Sequence, residues 1–478
     1  MNYEMPPEFE QAVQSIDQSK KPLLITGAAG TGKSVLIRQL IKHYDGNAVA
    51  CAFTGLAASN LGSVTLHSLF EIAVTPHQHP MDQVNYSHIV SPQTRHRWFR
   101  VVIIDEISMV DPVLLDLIDG KLKSAFDRNL LFGGKKVVMV GDPFQLSPIG
   151  YQNYPPEVQQ SLVEDYGIQP NFRDARCLNG VEFEEIQLST NWRQAGNAEF
   201  YEALLNIRDP REHQRMEYGV TWINNNRPRN FQPHSPCLKI RCTNREVDGE
   251  NQKALGELER TEGTSRFEVV GRDDDFIYRF LGGSTNLFRQ PILNPQTITD
   301  ANLTDKGRGR LPTPPTVELA FGARVVLTAN QWNHGLVNGT LGVLHSIQML
   351  DGTVYNREKL PDAPLDCDAL DWVEFCSDDS DHSVRIAPYR WGRNRVEYDE
   401  QTQRFRLTQE GSYRQVPFRL GYATTVHKAQ GMTLDCVDFF LPPQTWSNRR
   451  DLIYTALSRV RNINGLYLDR DLMVEDLV

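Results

Sequence analysis

The 478-residue chain is longer than one hydrophobic core supports, so roughly two to four folding units are expected. With 23% charged and 40% hydrophobic residues it has an ordinary globular composition, and no apolar run approaches the ~20 residues of a bilayer span. The net charge of −10 does not exclude a nucleic-acid partner, because phosphate contacts depend on local basic residues in a groove.

The opening stretch, MNYEMPPEFEQAVQS, is acidic and lacks both an apolar signal core and an arginine-rich amphipathic pattern, so no targeting leader is expected. The expectation is a cytoplasmic protein, bacterial or phage-encoded. From Pro22 to about Ile149, PLLITG, NAVACAFTG, RVVIIDE and KKVVMVGD read as buried parallel strands. GKSVLIRQLIKHY and DPVLLDLIDGKLKSAF have helical spacing between them, which predicts a parallel α/β sheet. Residues 72–97, rich in proline and polar residues, interrupt the pattern as a small excursion.

A second α/β region is expected from residue 176, beginning with FEEIQLSTNWRQ and continuing through CLKIRCTNREVDGENQKALGEL. Residues 258–315 read as a loop-rich insertion. Residues 316–416 alternate in short segments, as in a small antiparallel barrel or sandwich. The α/β character returns with DCVDFFLPP and LIYTALSRV. Seven dispersed cysteines without a CxxC fit reduced thiols, and the HQH at His77–His79 reads as a polar loop.

Three strand ends carry chemistry. Gly27-Ala28-Ala29-Gly30-Thr31-Gly32-Lys33-Ser34 satisfies G-x-x-x-x-G-K-[ST] between an apolar strand and a helix. Its backbone amides would turn toward phosphates, Lys33 would neutralise the terminal ones, and the Ser34 hydroxyl would ligate Mg²⁺. Asp105-Glu106 ends a second strand, where Asp105 would hold the Mg²⁺ shell and Glu106 would polarise the attacking water. Gly141-Asp142-Pro143-Phe144-Gln145 ends a third, and Gln145 would contact the γ-phosphate or the attacking water and so sense which nucleotide is bound. These elements imply a nucleoside triphosphatase of the P-loop class and leave open what it moves.

In order, GAAGTGKS, AFTGLAASNLGSVTLHS, IIDEISMVD, GDPFQLSP, LSTNWRQ, GYATTVHKAQGMTLD and YTALSRV resemble the motif series of superfamily-one DNA helicases. They are most similar to the Pif (petite integration frequency) family, relatives of RecD and the phage Dda helicase. Phe132-Gly133-Gly134 before the third strand resembles that family's signature. The resemblance implies two RecA-like domains: 1A over residues 1–175, with a 1B excursion at 72–97, and 2A over 176–315 and 417–478. It also implies an SH3-like 2B insert over 316–416. Arg193 and Arg459 would reach the γ-phosphate from the second domain, and Gln11 would read adenine. Thr54, Gly55, His67, Thr425, His427 and Lys428 match strand-contacting positions.

The implied activity is ATP-dependent, 5′-to-3′ translocation on single-stranded DNA with unwinding of duplexes, forks or G-quadruplexes. Expected partners are single-stranded DNA and DNA junctions, with single-strand-binding, replication or recombination proteins, for a monomer with no membrane association. Two alternatives are a RecD-like motor subunit of a nuclease complex and an ATP-switched nucleic-acid binder that does not unwind.

Overall fold

A computed structural model describes residues 8–54, 57–58, 61–70, 72, 99–148, 151, 156–168, 171–194, 196–229, 237–274, 313–329, 331–336, 339–378, 382–399 and 404–478. The predicted excursion at 72–97, apart from Ile72, and the HQH stretch lie outside the described residues.

The first lobe is a parallel sheet of β1 (Leu23–Gly27), β2 (Ala48–Ala52), β3 (Val64–Thr65), β4 (Val101–Asp105), β5 (Lys136–Gly141) and β6 (Glu184–Leu188). Their spatial order is β3-β2-β4-β5-β1-β6. Side chains alternate across a strand, so a continuous apolar run serves two cores at once. Leu23, Ile25, Val101, Ile103, Val138 and Val140 meet Leu36, Ile37 and Leu40 of the helix Lys33–Tyr44 on one face. Leu24, Val102, Ile104, Val137 and Met139 meet Leu114, Leu115 and Ile118 of the helix Pro112–Ala125 on the other. Each such burial contributes about 1.5–3 kcal/mol, which explains why the strands show no polar alternation.

The second lobe centres on Leu238–Arg241, flanked by parallel strands Ala423–Thr425 and Val437–Phe439, with Leu466–Leu468 beyond. The helices Ala198–Arg208, His213–Asn226 and Arg449–Leu457 pack into its core through Phe200, Leu204, Val220, Ile223 and Ile453. The α/β architecture with two such lobes agrees with the two RecA-like domains read from the sequence.

The limits differ from those expected. β6 hydrogen-bonds along β1, Ile186 beside Ile25, so the first lobe continues past residue 175 to at least Leu188. Residues 258–315 are not all loop. The helix Asn244–Glu262 occupies their start, and Arg266–Val270 pairs antiparallel with Thr316–Ala320. The β-rich unit therefore begins near 266, and it ends at Leu420, where Phe418–Leu420 pairs with Arg324–Leu327. Its six-stranded sheet shares one core, including Phe267, Leu319, Val325, Leu344, Val373 and Phe418, with the three-stranded sheet that Arg266–Val270 forms with Thr316–Ala320 and Leu365–Asp366. A long hairpin, Tyr389–Asp399 with Arg404–Gln415, pairs onto Arg272–Asp274 and touches β3 and the turn Leu66–Leu69 of the first lobe.

Sheet register sets Leu238 beside Val437, which brings Cys237 and Cys436 next to one another with Cα atoms 4.6 Å apart. A sequence separation of 199 gave no sign of this. Among the described residues no helix is long and apolar enough to cross a membrane.

Phe132-Gly133-Gly134 closes the entry to β5. The Phe132 N–H donates to Asp119 Oδ1 at 2.7 Å, the ring is buried, and the backbone is left-handed at Phe132 and both glycines. A Cβ on Gly133 would stand 2.3 Å from the Leu122 carbonyl oxygen. Gly133→Ala should therefore cost the first lobe about 2–4 kcal/mol, from the left-handed backbone and the clash together. A fall in the first thermal transition measures this, and an unchanged transition contradicts it.

Candidate active site between the lobes

The strand order sets β4, β5 and β1 side by side, so Asp105, Gly141-Asp142 and the Gly27–Ser34 loop open at one edge. The carboxyl ends of parallel strands form the crevice where open α/β sheets take ligands. Gly30 and Gly32 are left-handed, turning the loop into the helix that starts at Lys33. Thr31 Oγ1 donates to Ala28 O at 2.9 Å. Lys33 Nζ donates to Gly27 O at 2.8 Å and Ala28 O at 3.0 Å. Enclosure depresses the Lys33 pKa against the opposing pull of Asp142, Glu106 and Asp105. Ser34 is exposed on the first helical turn.

Asp105 Oδ1 accepts the Glu106 N–H at 2.9 Å. Glu106 is left-handed, φ 54°, a conformation a non-glycine residue holds only when its surroundings impose it. Burial, then repulsion from Glu106, pushes the Asp105 carboxyl up to about 7. Burial raises Glu106 as well, opposed by Lys33 and Arg459. Two adjacent carboxylates this short of neutralising charge, with a nearby serine hydroxyl, are hard oxygen donors suited to Mg²⁺. Among the described residues no group of three or more His, Cys, Asp and Glu is placed to hold a metal.

Asp142 is fully buried and joins the lobes. Arg208, from the helix Ala198–Arg208, donates to its Oδ1 through Nε at 3.1 Å and Nη2 at 2.8 Å. Tyr454 Oη donates to its Oδ2 at 3.1 Å, and Gln145 Nε2 to the same oxygen at 3.3 Å. Burial and Asp142 push the Tyr454 phenol far up, so it stays protonated, and its oxygen accepts the Ala29 N–H of the phosphate loop. The Arg208 guanidinium lies 4.5 Å over the Phe144 ring.

Arg459 sits almost fully buried in the second lobe, held by the Thr455 carbonyl at 2.9 Å and Ser458 Oγ at 2.7 Å, and is attracted by Glu106 and Asp142. Arg193 differs from expectation. Its segment is fastened to the first lobe's phosphate loop, with Asn191 Nδ2 donating to Ala29 O at 2.8 Å and Trp192 N to Gly30 O at 2.9 Å. Only its guanidinium reaches the second lobe, at Thr433 Oγ1 and Ser458 O, both 2.9 Å away. A chain leaving β6 must pass β1 before crossing, which is why its backbone belongs to the first side.

Gln11 is exposed on the helix Phe9–Gln18. Thr54 Oγ1 accepts the Ala57 N–H at 3.2 Å, Gly55 lies outside the described residues, and His67 stands edge-on to Phe53. Thr425 caps the turn Val426–Ala429 through the Lys428 N–H at 3.3 Å. Both threonines thus follow a parallel strand and order the turn after it. Burial lowers the His427 pKa. Repulsion by Arg419, then burial, brings the Lys428 ammonium down to about 7, opposed by Asp248.

Four side chains at this site escaped sequence reasoning. Tyr454 and Gln430 lie inside motifs already quoted, but their partners are in the other lobe. Trp192, half-exposed beside Gly32, sits within NWRQ. Arg208 falls in an ordinary amphipathic helix and carries no local signal.

A family model described as PIF1-like helicase matches residues 2–217, and one described as UvrD-like helicase C-terminal domain matches 420–462. The chain is similar to the ATP-dependent DNA helicase PIF1 of Emericella nidulans, 26% identical over 96% of this chain and 60% of the relative. It spans 60% to 65% of the length of that protein and two comparable curated relatives. A solved structure of Bacteroides sp Pif1 in complex with ADP-AlF4 shares the fold, with TM-score 0.75, 24% identity, and coverage of 100% of this chain and 95% of that one. Bacteroides Pif1 bound to ssDNA is 26% identical, with TM-score 0.62 and the same coverage.

Removing Arg208 leaves Asp142 buried and short of its cation. Arg208→Ala should destabilise the joined lobes by about 3–5 kcal/mol, and adding Asp142→Asn should restore at least about half. Calorimetric melting of the single and double variants reads this; equal losses in both would contradict it.

Proposed function

We propose that the chain, similar to PIF1-like helicases over residues 2–217, is an ATP-driven motor of that family that translocates on single-stranded DNA and unwinds duplexes. The observation that carries the reading is a cleft charged from both sides. Lys33 of the first lobe and Arg459 of the second face the same carboxylates, Glu106 and Asp142. A triphosphate entering there meets cations from both lobes, so its presence draws the lobes together and its cleavage releases them.

In this reading Lys33 exchanges the carbonyls of Gly27 and Ala28 for terminal phosphate oxygens. The loop amides take the remaining phosphates, and Trp192 offers a flat apolar face for the base beside the loop. Ser34 and Asp105 would hold Mg²⁺, which would neutralise phosphate charge. Glu106 takes the proton of the attacking water, Gln145 orients that water, and Arg193 and Arg459 stabilise the charge that develops. The turns after Thr54 and Thr425, with His67, His427 and Lys428, contact sugar and phosphate. Such contacts grip without reading sequence. The β-rich unit corresponds to the family's SH3-like insert and covers the strand. The 5′-to-3′ polarity follows from likeness to the family.

Lys33→Ala should lower ATP turnover roughly a hundredfold while single-stranded DNA affinity stays within about threefold, because the loop lysine is not a DNA contact. Partial duplexes with a 5′ or a 3′ tail test the motor, with unwinding of the 5′-tailed substrate alone as the expected result. Binding to wild type with ATP turnover but no strand separation on either tail would favour the ATP-switched binder. Lys428, with a pKa of about 7, carries its charge below that pH and takes up a proton when phosphate arrives. Affinity for oligothymidylate should therefore weaken about tenfold from pH 6 to pH 8, and Lys428→Arg should flatten the profile.

A further inference from the structure

The carboxylates and phosphate loop belong to the first lobe, whereas the Thr425–Lys428 turn belongs to the second. The Gln430 side chain links the two. Gln430, 8% exposed, directly follows the helix Val426–Ala429. Its Nε2 donates to Glu106 Oε2 at 2.9 Å and to Gln145 Oε1 at 3.4 Å.

We propose that Gln430 is the positioning residue through which a strand seated on the second lobe brings the Glu106 carboxylate into its working orientation. The inference rests on the reading of Glu106 as base and of residues 425–428 as a strand contact.

The lever is short and stiff. Lys428 and Gln430 are separated by one residue, and the turn between them is tied by the Thr425 cap and by the Met432 N–H on Ala429 O at 3.0 Å. A displacement of Lys428 by a phosphate is thus carried to the Gln430 amide rather than absorbed. At the receiving end, Glu106 has a left-handed backbone, and its carboxylate accepts a hydrogen bond from Gln430.

The chemistry of an amide suits this task. A lysine or arginine at 430 would form an ion pair with Glu106 and hold it away from water. An amide donor offers a net of only about 0.5–1.5 kcal/mol, so the carboxylate can be steered and released. Gln145 supplies a second acceptor, and a shift of roughly half an ångström exchanges the strengths of the two bonds. Gln145 in turn donates to Asp142, so the same movement reaches the Arg208 and Tyr454 contacts.

The experiment uses the full chain with Gln430→Met, which keeps length and loses the donor, and Gln430→Glu, which sets a second acid against Glu106. ATP turnover is measured with and without saturating oligothymidylate, and oligothymidylate affinity by fluorescence anisotropy. Expected for Gln430→Met is a roughly tenfold fall in DNA-stimulated kcat, with KM for ATP and Kd for the oligonucleotide within about twofold; Gln430→Glu should fall further. A purely structural role would instead raise KM and Kd and lower Tm together, and that pattern overturns the proposal. So does Gln430→Met that keeps wild-type stimulation. Wild type without any stimulation would sink the functional reading itself, whereas a stimulated wild type with a stimulated Gln430→Met sinks the lever alone. Should the methionine variant fail to fold, the near-isosteric glutamate variant decides by the same ratio.

Discussion

Three carboxylates, Asp105, Glu106 and Asp142, end β4 and β5 in a place largely closed to water, and the molecule is organised around their neutralisation. Burying a carboxylate without a partner is among the most expensive things a fold can do. A single RecA-like lobe cannot supply enough cations, because Lys33 is its main nearby positive charge. Arg208 and Arg459 come from the second lobe. Pairing of these carboxylates is therefore one contact that joins the lobes, beside the packing of Met109 and Leu146 into the core of the second.

The two kinds of cross-lobe contact differ in strength, and the difference has a use. Asp142 is bound by a guanidinium and a phenol and behaves as a fixed joint. Glu106 meets an amide, a bond of lesser strength that a substrate can displace. A motor needs both. One contact must persist while the lobes move, and another must change when ligand binds. Arg193 combines the two roles in one residue, with its backbone fastened to the phosphate loop and its guanidinium lodged against Ser458 and Thr433.

The β-rich unit adds a third body to this pair. It shares a strand connection with the second lobe through Phe418–Leu420 and Ala423–Thr425, and its hairpin touches the first lobe at β3 and Leu66–Leu69. The turn carrying His67 and the turn carrying Lys428 are thereby linked through one rigid module. In the proposed cycle, a strand held at both turns would feel any change in the angle between the lobes.

The apolar runs of β1, β4 and β5, the G-x-x-x-x-G-K-[ST] loop and the Asp-Glu pair were legible in the residues themselves. Their chemistry is local: a strand, a turn and a helix within about a dozen positions suffice to define each. The order of the motifs then suggested two lobes and a shared cleft. What stayed hidden was contact between distant segments. β6 joined the first lobe because its register on β1 is a tertiary choice, Cys237 met Cys436 across 199 residues, and Arg208 found Asp142 from a helix with no distinguishing pattern. Side-chain identity declares which groups can neutralise a buried charge. Only the packing of two sheets decides which of them arrive, because that depends on where strand order places their backbones.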